Sequence, residues 1–508
     1  MLPATDPADW IESAARDQPH RLFLKTPTGR ELSYASLHEE SGRFAAALMG
    51  RGVLPGDRVA VQVEKSAEAV LLYVACLRIG AVFVPINVAN TPHEVDYFLR
   101  DSQPRVAVIR PADVALLEPY AERAGVRLET LGTGTDGSLP ALARQSDEVA
   151  DVPRSGSANS PAAIVYTSGT TGRSKGAMLS RANLASNAAV LAEAWRFTNR
   201  DVLLHTLPLF HVHGLFAAIN TVLVSGSSLL LLAKFDAASA LELLPQVTVF
   251  MGVPTHYTRL LQQSGLNREV TAGVRLFVSG SAPLPADTHK EFLERTGHTI
   301  LERYGMTETL MITSNPYDGV RKPGSVGIPL PGIAIRVVNG ATGAVESAAD
   351  VIGTLEVKGP NVFTGYWQDP EKTRGEFTAD GWFKTGDLGR IDRDGYVDIV
   401  GRAKDLVISG GYNVYPKEVE MELDALRGVL ESAVFGVPHP DFGEGVTAVV
   451  VPQPAAKLSE AEIINSLQAR LARYKVPKRV LIIDELPRNS MGKVQKNVLR
   501  AAHASLYR

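Results

Sequence analysis

The sequence predicts an α/β protein: a large N-terminal domain of parallel α/β sheets carrying a β-rich subdomain, followed by a small α+β domain. Three observations predict it. From Arg58 to Arg110 apolar strand-like runs ("RVAVQVE", "AVFVPIN", "RVAVIR") alternate with helical ones such as "SAEAVLLYVACLRIG", and that alternation implies a parallel sheet covered on both faces. It returns with "AAIVYTS", "VTVFMGVP", "VRLFVSG" and "HTILERYG", together with a helix over "RANLASNAAVLAEAW" capped by Ser180. Beyond about residue 325 short strands and turns take over ("SVGIPLPGIAIRVVN", "GTLEVKGPNVFTGYW", "DGYVDIVGR").

At 508 residues the chain exceeds the size at which one core stops growing, so at least two domains are expected. We place the first at 1–401, with the β-rich part from about 325, and the second at 402–508, the joint falling in Gly401–Asp405. In the second, "LESAVFGVPHPDFGEGVTAVVVP" reads as strands and "SEAEIINSLQARLARYK" as a helix opened by a Ser459/Glu462 capping box. The stretch 147–160 reads as a polar surface loop.

An apolar content of 45% with 21% charged residues suits a globular enzyme. A net charge of −3 gives no global basic field, so neither nucleic acid nor a membrane is expected as partner. The acidic, proline-broken N-terminus is wrong for a secretory signal. "GLFAAINTVLVSGSSLLLLAKF" is interrupted at Ser225–Ser228 and reads as a helix and a buried strand, not a span. A cytoplasmic enzyme is the expectation. Cys76, the single cysteine, lies in an apolar run and reads as a buried core thiol.

"IVYTSGTTGRSKG" leaves an apolar strand for hydroxyls and glycines and closes on a lysine. Such a loop suits phosphate, because glycines expose backbone N–H groups and lysine adds a point charge. It is not a Walker A loop: Gly169, Gly172 and Lys175 stand at other spacings, with no Ser or Thr after the lysine. The loops "TSGTTG", "SGSAPL" and "YGMTET" all follow strands, where open α/β sheets bind ligands. In "FHVHG" the two histidines would lie on alternate faces if extended, with no Cys, Asp or Glu at ligand spacing, so zinc is rejected.

Five stretches in order, "YTSGTTGRSKG", "YGMTET", "TGDLG", "GRAKDLVISGGYNVYP" and "PRNSMGKVQK", together resemble the acyl-adenylate-forming superfamily of acyl-CoA synthetases, luciferases and peptide-synthetase adenylation domains. "LERYGMTET", "TSNPYDG", "FGEGVTAVVV" and "LPRNSMGKVQKNVLR" resemble its malonyl-CoA synthetase branch. The resemblance covers nearly the whole chain. It implies the fold of those enzymes, with a mobile C-terminal domain hinged at Lys404. It also implies two half-reactions: a carboxylate attacks the α-phosphate of Mg·ATP to give an acyl-adenylate and pyrophosphate, then the thiol of coenzyme A displaces AMP.

By the same resemblance Thr167, Ser168, Gly169, Thr170, Thr171, Gly172 and Lys175 form the phosphate loop and handle departing pyrophosphate. Ser281, Ala282, Pro283, Glu302, Tyr304, Gly305 and Met306 line the ATP site, Tyr304 offering its face to adenine. Thr307 would donate to phosphate and Glu308 hold Mg²⁺, a hard cation that takes carboxylate oxygen. Asp387 would accept the ribose hydroxyls, Arg402 reach ribose or phosphate, and Gly410, Gly411 and Tyr412 meet coenzyme A. Lys493 would bridge the attacking carboxylate and the α-phosphate, and is a plausible target of a lysine acetyltransferase, which would remove its charge. His211 would stand between the acyl pocket and the α-phosphate.

Specificity is expected to turn on Arg303. Many relatives carry a small residue there, and burying a guanidinium unpaired is costly. A second carboxylate on the substrate would satisfy it bidentately. Met306 would then bound the pocket, leaving room for at most a small α-substituent, as in methylmalonate. The competing readings are a salt bridge from Arg303 to Glu302 or another acid, a structural His211, a core Tyr304, and a simple helix-start cap at Thr307 and Glu308. For the whole chain they are a ligase for another short acid or one loading a carrier protein, and a non-catalytic nucleotide-binding protein, which would be expected to have lost Lys493 or Glu308. An apolar luciferin would suit Arg303 poorly.

Overall fold

The computed structural model describes residues 6–134, 136–146, 157–167, 174–340, 342–489 and 492–507. The chain gathers into two compact units, Met1–Ala334 with Lys358–Gly381, and Ile335–Val357 with Trp382–Arg508. The division differs from the expected joint at 402: most of the β-rich stretch clusters with the C-terminal region.

The first unit holds two sheets. One runs, in spatial order, Ile328–Pro329, Leu310–Ser314, Leu301–Met306, Leu276–Ser279, Val249–Gly252, Val202–His205, Ser228–Leu231, Leu22–Lys25 and Glu31–Ser33. The other runs Gly365–Tyr366, Lys175–Ser180, Pro161–Thr167, Val82–Pro85, Arg58–Gln62, Val106–Ile109 and Arg127–Thr130. The central strands are parallel, as the alternation predicts, and antiparallel hairpins close the edges. One such hairpin alters the reading of "YGMTET": the strand continues through Met306 and turns straight back at Leu310. Thr307 and Glu308 therefore sit in a β-turn, and no helix follows for them to cap.

Local chemistry accounts for the helices. Ser66 accepts from the Ala69 N–H to open Ala67–Ile79, and Gly80, in the left-handed region, closes it. Every residue of that helix is buried, Cys76 included, which pushes its thiol pKa up. Ser180 and Asn183 form a capping box at Arg181–Ala194. The apolar run after residue 212 resolves into a π-helix, His213–Asn220, a helical turn Thr221–Ser225 stopped by Gly226, and the buried strand Ser228–Leu231.

In the second unit one sheet orders Val345–Glu346, Ala334–Val338, Gly353–Lys358, Phe383–Ile391 and Val397–Arg402. Another is built on the long hairpin of Val429–His439 and Gly443–Pro452. The Ser459 capping box is not formed: the Ser459 side chain accepts no capping hydrogen bond, and the helix runs only Glu460–Gln468. The Glu460 carboxylate, at the start of that helix, accepts from Val480 N–H and Arg479 Nε, both at 2.9 Å. Of the polar loop 147–160, residues 147–156 lie outside the described ones. Among the described residues no helix is long and apolar enough to cross a membrane.

Candidate active site

Arg303 lies in the strand Leu301–Met306 opposite Ser314 and is 3% exposed. Successive strand residues face opposite ways, which disposes of a pair with Glu302. The Glu302 carboxylate accepts from the Gly324 N–H at 3.1 Å and faces His289 at 3.7 Å. The Arg303 guanidinium packs on Gly280, where any Cβ would collide with it. Its Nε and Nη2 are buried without a hydrogen-bond partner. Burial pushes its pKa down to about 9, opposed only by the nearby Tyr257. Each unmet buried donor costs about 1–3 kcal/mol, a cost that an acceptor at this guanidinium would relieve.

A second orphan stands beside it. His213 opens the π-helix, is fully buried, and holds Ser281 Oγ through Nδ1 at 3.2 Å, while its Nε2 has no partner. Burial first, then the Arg303 charge, lowers its pKa well below the usual imidazole range, so the ring is neutral. Two backbone features shape this wall. Gly214 presses on the Pro208 carbonyl, where a Cβ would clash, and Ser281 takes a left-handed conformation at φ 71°. His205, one strand earlier, donates from Nε2 to the Gly214 carbonyl at 2.8 Å and fixes the start of the helix. His211 lies in the bend before the π-helix, its ring tilted on Phe210, and its carbonyl accepts from the Leu215 N–H.

Glu308 is buried in the hairpin turn. Tyr366 Oη donates to its Oε1 at 3.0 Å, and the Phe363 N–H to its carbonyl at 2.7 Å. Lys175 Nζ lies 5.7 Å from the Tyr366 ring centroid, so one tyrosine connects the turn to the end of the phosphate loop. A cavity of about 280 Å³ is lined by Ile86, Lys65, Thr206, Phe210, Phe235 and His256 among others. Lys65 is half-buried and donates from Nζ to the His205 carbonyl at 2.8 Å, and desolvation of the ammonium lowers its pKa well below the usual lysine value. His256 stacks flat on Phe235 and is held, chiefly by burial, to about 3.

The model for the AMP-binding enzyme family matches residues 11–367, and that for the AMP-binding enzyme C-terminal domain matches 418–493. The chain belongs to the AMP-binding enzyme family. It is 37% identical to a mitochondrial malonate–CoA ligase, ACSF3, of Mus musculus, over 88% of this chain and 82% of that one. It is 36% identical to a sulfoacetate–CoA ligase of Cupriavidus necator, over 96% of each. Among solved structures, ATP-bound MatB from Rhodopseudomonas palustris superposes with a TM-score of 0.96 at 53% identity, covering 99% of this chain and all of that one.

In this AMP-binding enzyme the first unit brings together Arg303, Tyr304, Gly305, Met306, Thr307 and Glu308 on one hairpin, with Ser281, Ala282 and Pro283 on the neighbouring strand's exit. Thr167 and Lys175 pair at the loop end of their own hairpin. Ser168, Gly169, Thr170, Thr171 and Gly172 lie outside the described residues. The second unit holds the rest. Asp387 and Arg402 are cross-strand partners joined Oδ1 to Nε at 2.7 Å. Lys404 sits in the single turn Ala403–Asp405. Gly410 and Gly411 make a tight turn with φ of 59° and 81°, and Tyr412, 60% exposed, stacks on Tyr474. The Lys493 N–H is held by Asn489 Oδ1 at 3.0 Å.

Lys65, His256 and Tyr366 have no place in the sequence reading, and His213 enters it only as one of the two histidines of "FHVHG", without a role. For His213 a signal existed: "HGLFAAIN" has no strand alternation, and the segment is the π-helix that His213 opens.

Proposed function

We propose that this enzyme is an AMP-forming acid–CoA ligase that converts ATP, malonate and coenzyme A to malonyl-CoA, AMP and diphosphate through malonyl-adenylate. One observation carries the choice of acid: Arg303 is buried with two unmet donors beside the unmet Nε2 of neutral His213. A monocarboxylate spends its only anion on the α-phosphate and leaves that guanidinium stranded. Malonate brings a second carboxylate to it.

In this reading a malonate oxygen attacks the α-phosphorus and the bond to pyrophosphate breaks. The thiol sulfur of coenzyme A then attacks the acyl carbon, and AMP leaves with the C–O electron pair. Lys493 neutralises charge at the attacking oxygen and α-phosphate, Thr307 donates to phosphate, His211 shields the acyl side, and Asp387 with Arg402 takes the ribose. Such positioning and electrostatic groups supply most of the acceleration in phosphoryl-type transfer. Gly410, Gly411 and Tyr412 belong to the coenzyme A side. Acetylation of Lys493 would remove its charge.

Mg²⁺ fits the donors present. Among the described residues no group of three His, Cys, Asp or Glu side chains could cage an ion, and Mg²⁺ is typically held by one or two carboxylates plus substrate phosphates. Glu308, oriented by Tyr366, supplies that carboxylate. When bound, the ion would neutralise phosphate charge.

Because Arg303 reads a second anion and not a carboxylate as such, sulfoacetate is the second reading. Pyrophosphate release from ATP, with and without coenzyme A, should be measured with malonate, methylmalonate, sulfoacetate, acetate and butyrate. Malonate is expected to lead and monocarboxylates to fail. Equal rates with acetate or butyrate would refute the assignment.

A further inference from the structure

We propose that Lys372 is a second cation at the pyrophosphate end of the site, sharing the leaving pyrophosphate with Lys175. The inference rests on the adenylating function proposed above. It starts from how the segment after Gly365 is folded back. Tyr366 pairs with Ala177 on the strand that Lys175 begins, and the Trp367 N–H donates to the Gly176 carbonyl at 2.7 Å. The Tyr366 N–H in turn donates to Thr373 Oγ1 at 2.9 Å, and Asp369 Oδ1 caps the Lys372 N–H at 2.9 Å. These bonds set the helix Pro370–Glu376 against the mouth of the phosphate-loop hairpin. They bring the Lys372 side chain, ion-paired to Glu376, to the same end of that hairpin as Lys175, which lies over the Tyr366 ring, near enough for each charge to act on the other.

Two neighbouring ammonium groups repel unless an anion lies between them or on them. The carboxylates acting on the pair are Glu376, ion-paired to Lys372, and Asp369. Lys175 feels the consequence: its pKa is lowered, first by partial burial and then by the Lys372 charge. Behind it, Tyr366 gives its ring to Lys175 and its hydroxyl to Glu308. The lysine pair is therefore one tyrosine away from the carboxylate assigned to Mg²⁺. Adenylation leaves a highly charged pyrophosphate at this end, and lysine ammonium groups hold phosphate as point charges. Glu376 is the competitor: it occupies Lys372 until the anion claims it.

The test uses the full chain and magnesium pyrophosphate, read by calorimetric binding and by the pyrophosphate KM for ATP synthesis from malonyl-adenylate. Lys372→Ala should weaken both by roughly tenfold, the size of one charge-assisted contact, with the KM for coenzyme A unchanged. Lys372→Arg should restore most of the loss. Glu376→Gln should move the other way and tighten pyrophosphate, which a purely helix-supporting role for the pair would not do. Unchanged pyrophosphate constants in Lys372→Ala, or weakening in Glu376→Gln, would overturn the proposal. A parent enzyme that released no pyrophosphate with any acid would instead sink the underlying function, whatever Lys372 did.

Discussion

Arg303 and Glu302 are neighbours in sequence with opposite fates, and the pleat decides them. The acid faces His289 and the Gly324 N–H, while the guanidinium faces a pocket where His213 is the neighbouring polar group. Because burial holds the free Arg303 near 9, its charge is within reach of titration. Only the cation binds a carboxylate, and malonate would raise its pKa again. The kcat/KM for malonate, which reports the free enzyme, should therefore fall as pH rises through about 9. The pH profile of Arg303→Leu acting on butyrate should lack that limb. At this scale the sequence disclosed the residue types but not their partners. A guanidinium before Tyr-Gly announces a polar acyl pocket. Nothing near Lys65 in "VEKSAEA" tells that its ammonium meets the carbonyl of His205, far along the chain.

Elements were legible where local chemistry alone decides them, as at the Ser180 cap and the helical run "SAEAVLLYVACLRIG". They were misread where a distant segment competes. "YGMTET" continues a strand because Leu310–Ser314 returns to pair with it; the Ser459/Glu462 box is also unformed, and among the described residues no bond of Glu462 accounts for that. The helix Pro416–Asp424 carries its own prediction. It ends on a carboxyl that burial, with Glu420 and Glu431 nearby, raises from 3.8 to about 6, despite a 2.6 Å hydrogen bond from Ser432. A helix C-terminus also disfavours negative charge. The folded state binds the extra proton between those two values, so this group favours folding as pH falls through 6 and opposes it above. Asp424→Asn, which can keep the Ser432 bond, should stabilise the second unit at pH 8 by about 2 kcal/mol. The gain should vanish near pH 4, and denaturation midpoints of the full-length variant and parent at the two pH values would check both halves.

At the scale of the molecule, the two half-reactions proposed above carry the expectation of a hinge at Lys404. Proline fixes φ near −65° and restrains the residue before it. Lys404→Pro should therefore keep malonate-dependent pyrophosphate release while blocking malonyl-CoA formation; full turnover would move the hinge elsewhere in 401–405. The central claim, that a buried guanidinium selects malonate, is tested most directly by pyrophosphate release with malonate and with butyrate for the parent, Arg303→Leu and Arg303→Lys. Removing one partner of a buried pair costs about 3–5 kcal/mol, so Arg303→Leu should lose roughly a hundred- to several-thousand-fold in kcat/KM for malonate while butyrate improves. Lysine, a point charge without the planar fork, should rescue only in part. An Arg303→Leu enzyme that still preferred malonate to butyrate would contradict the account.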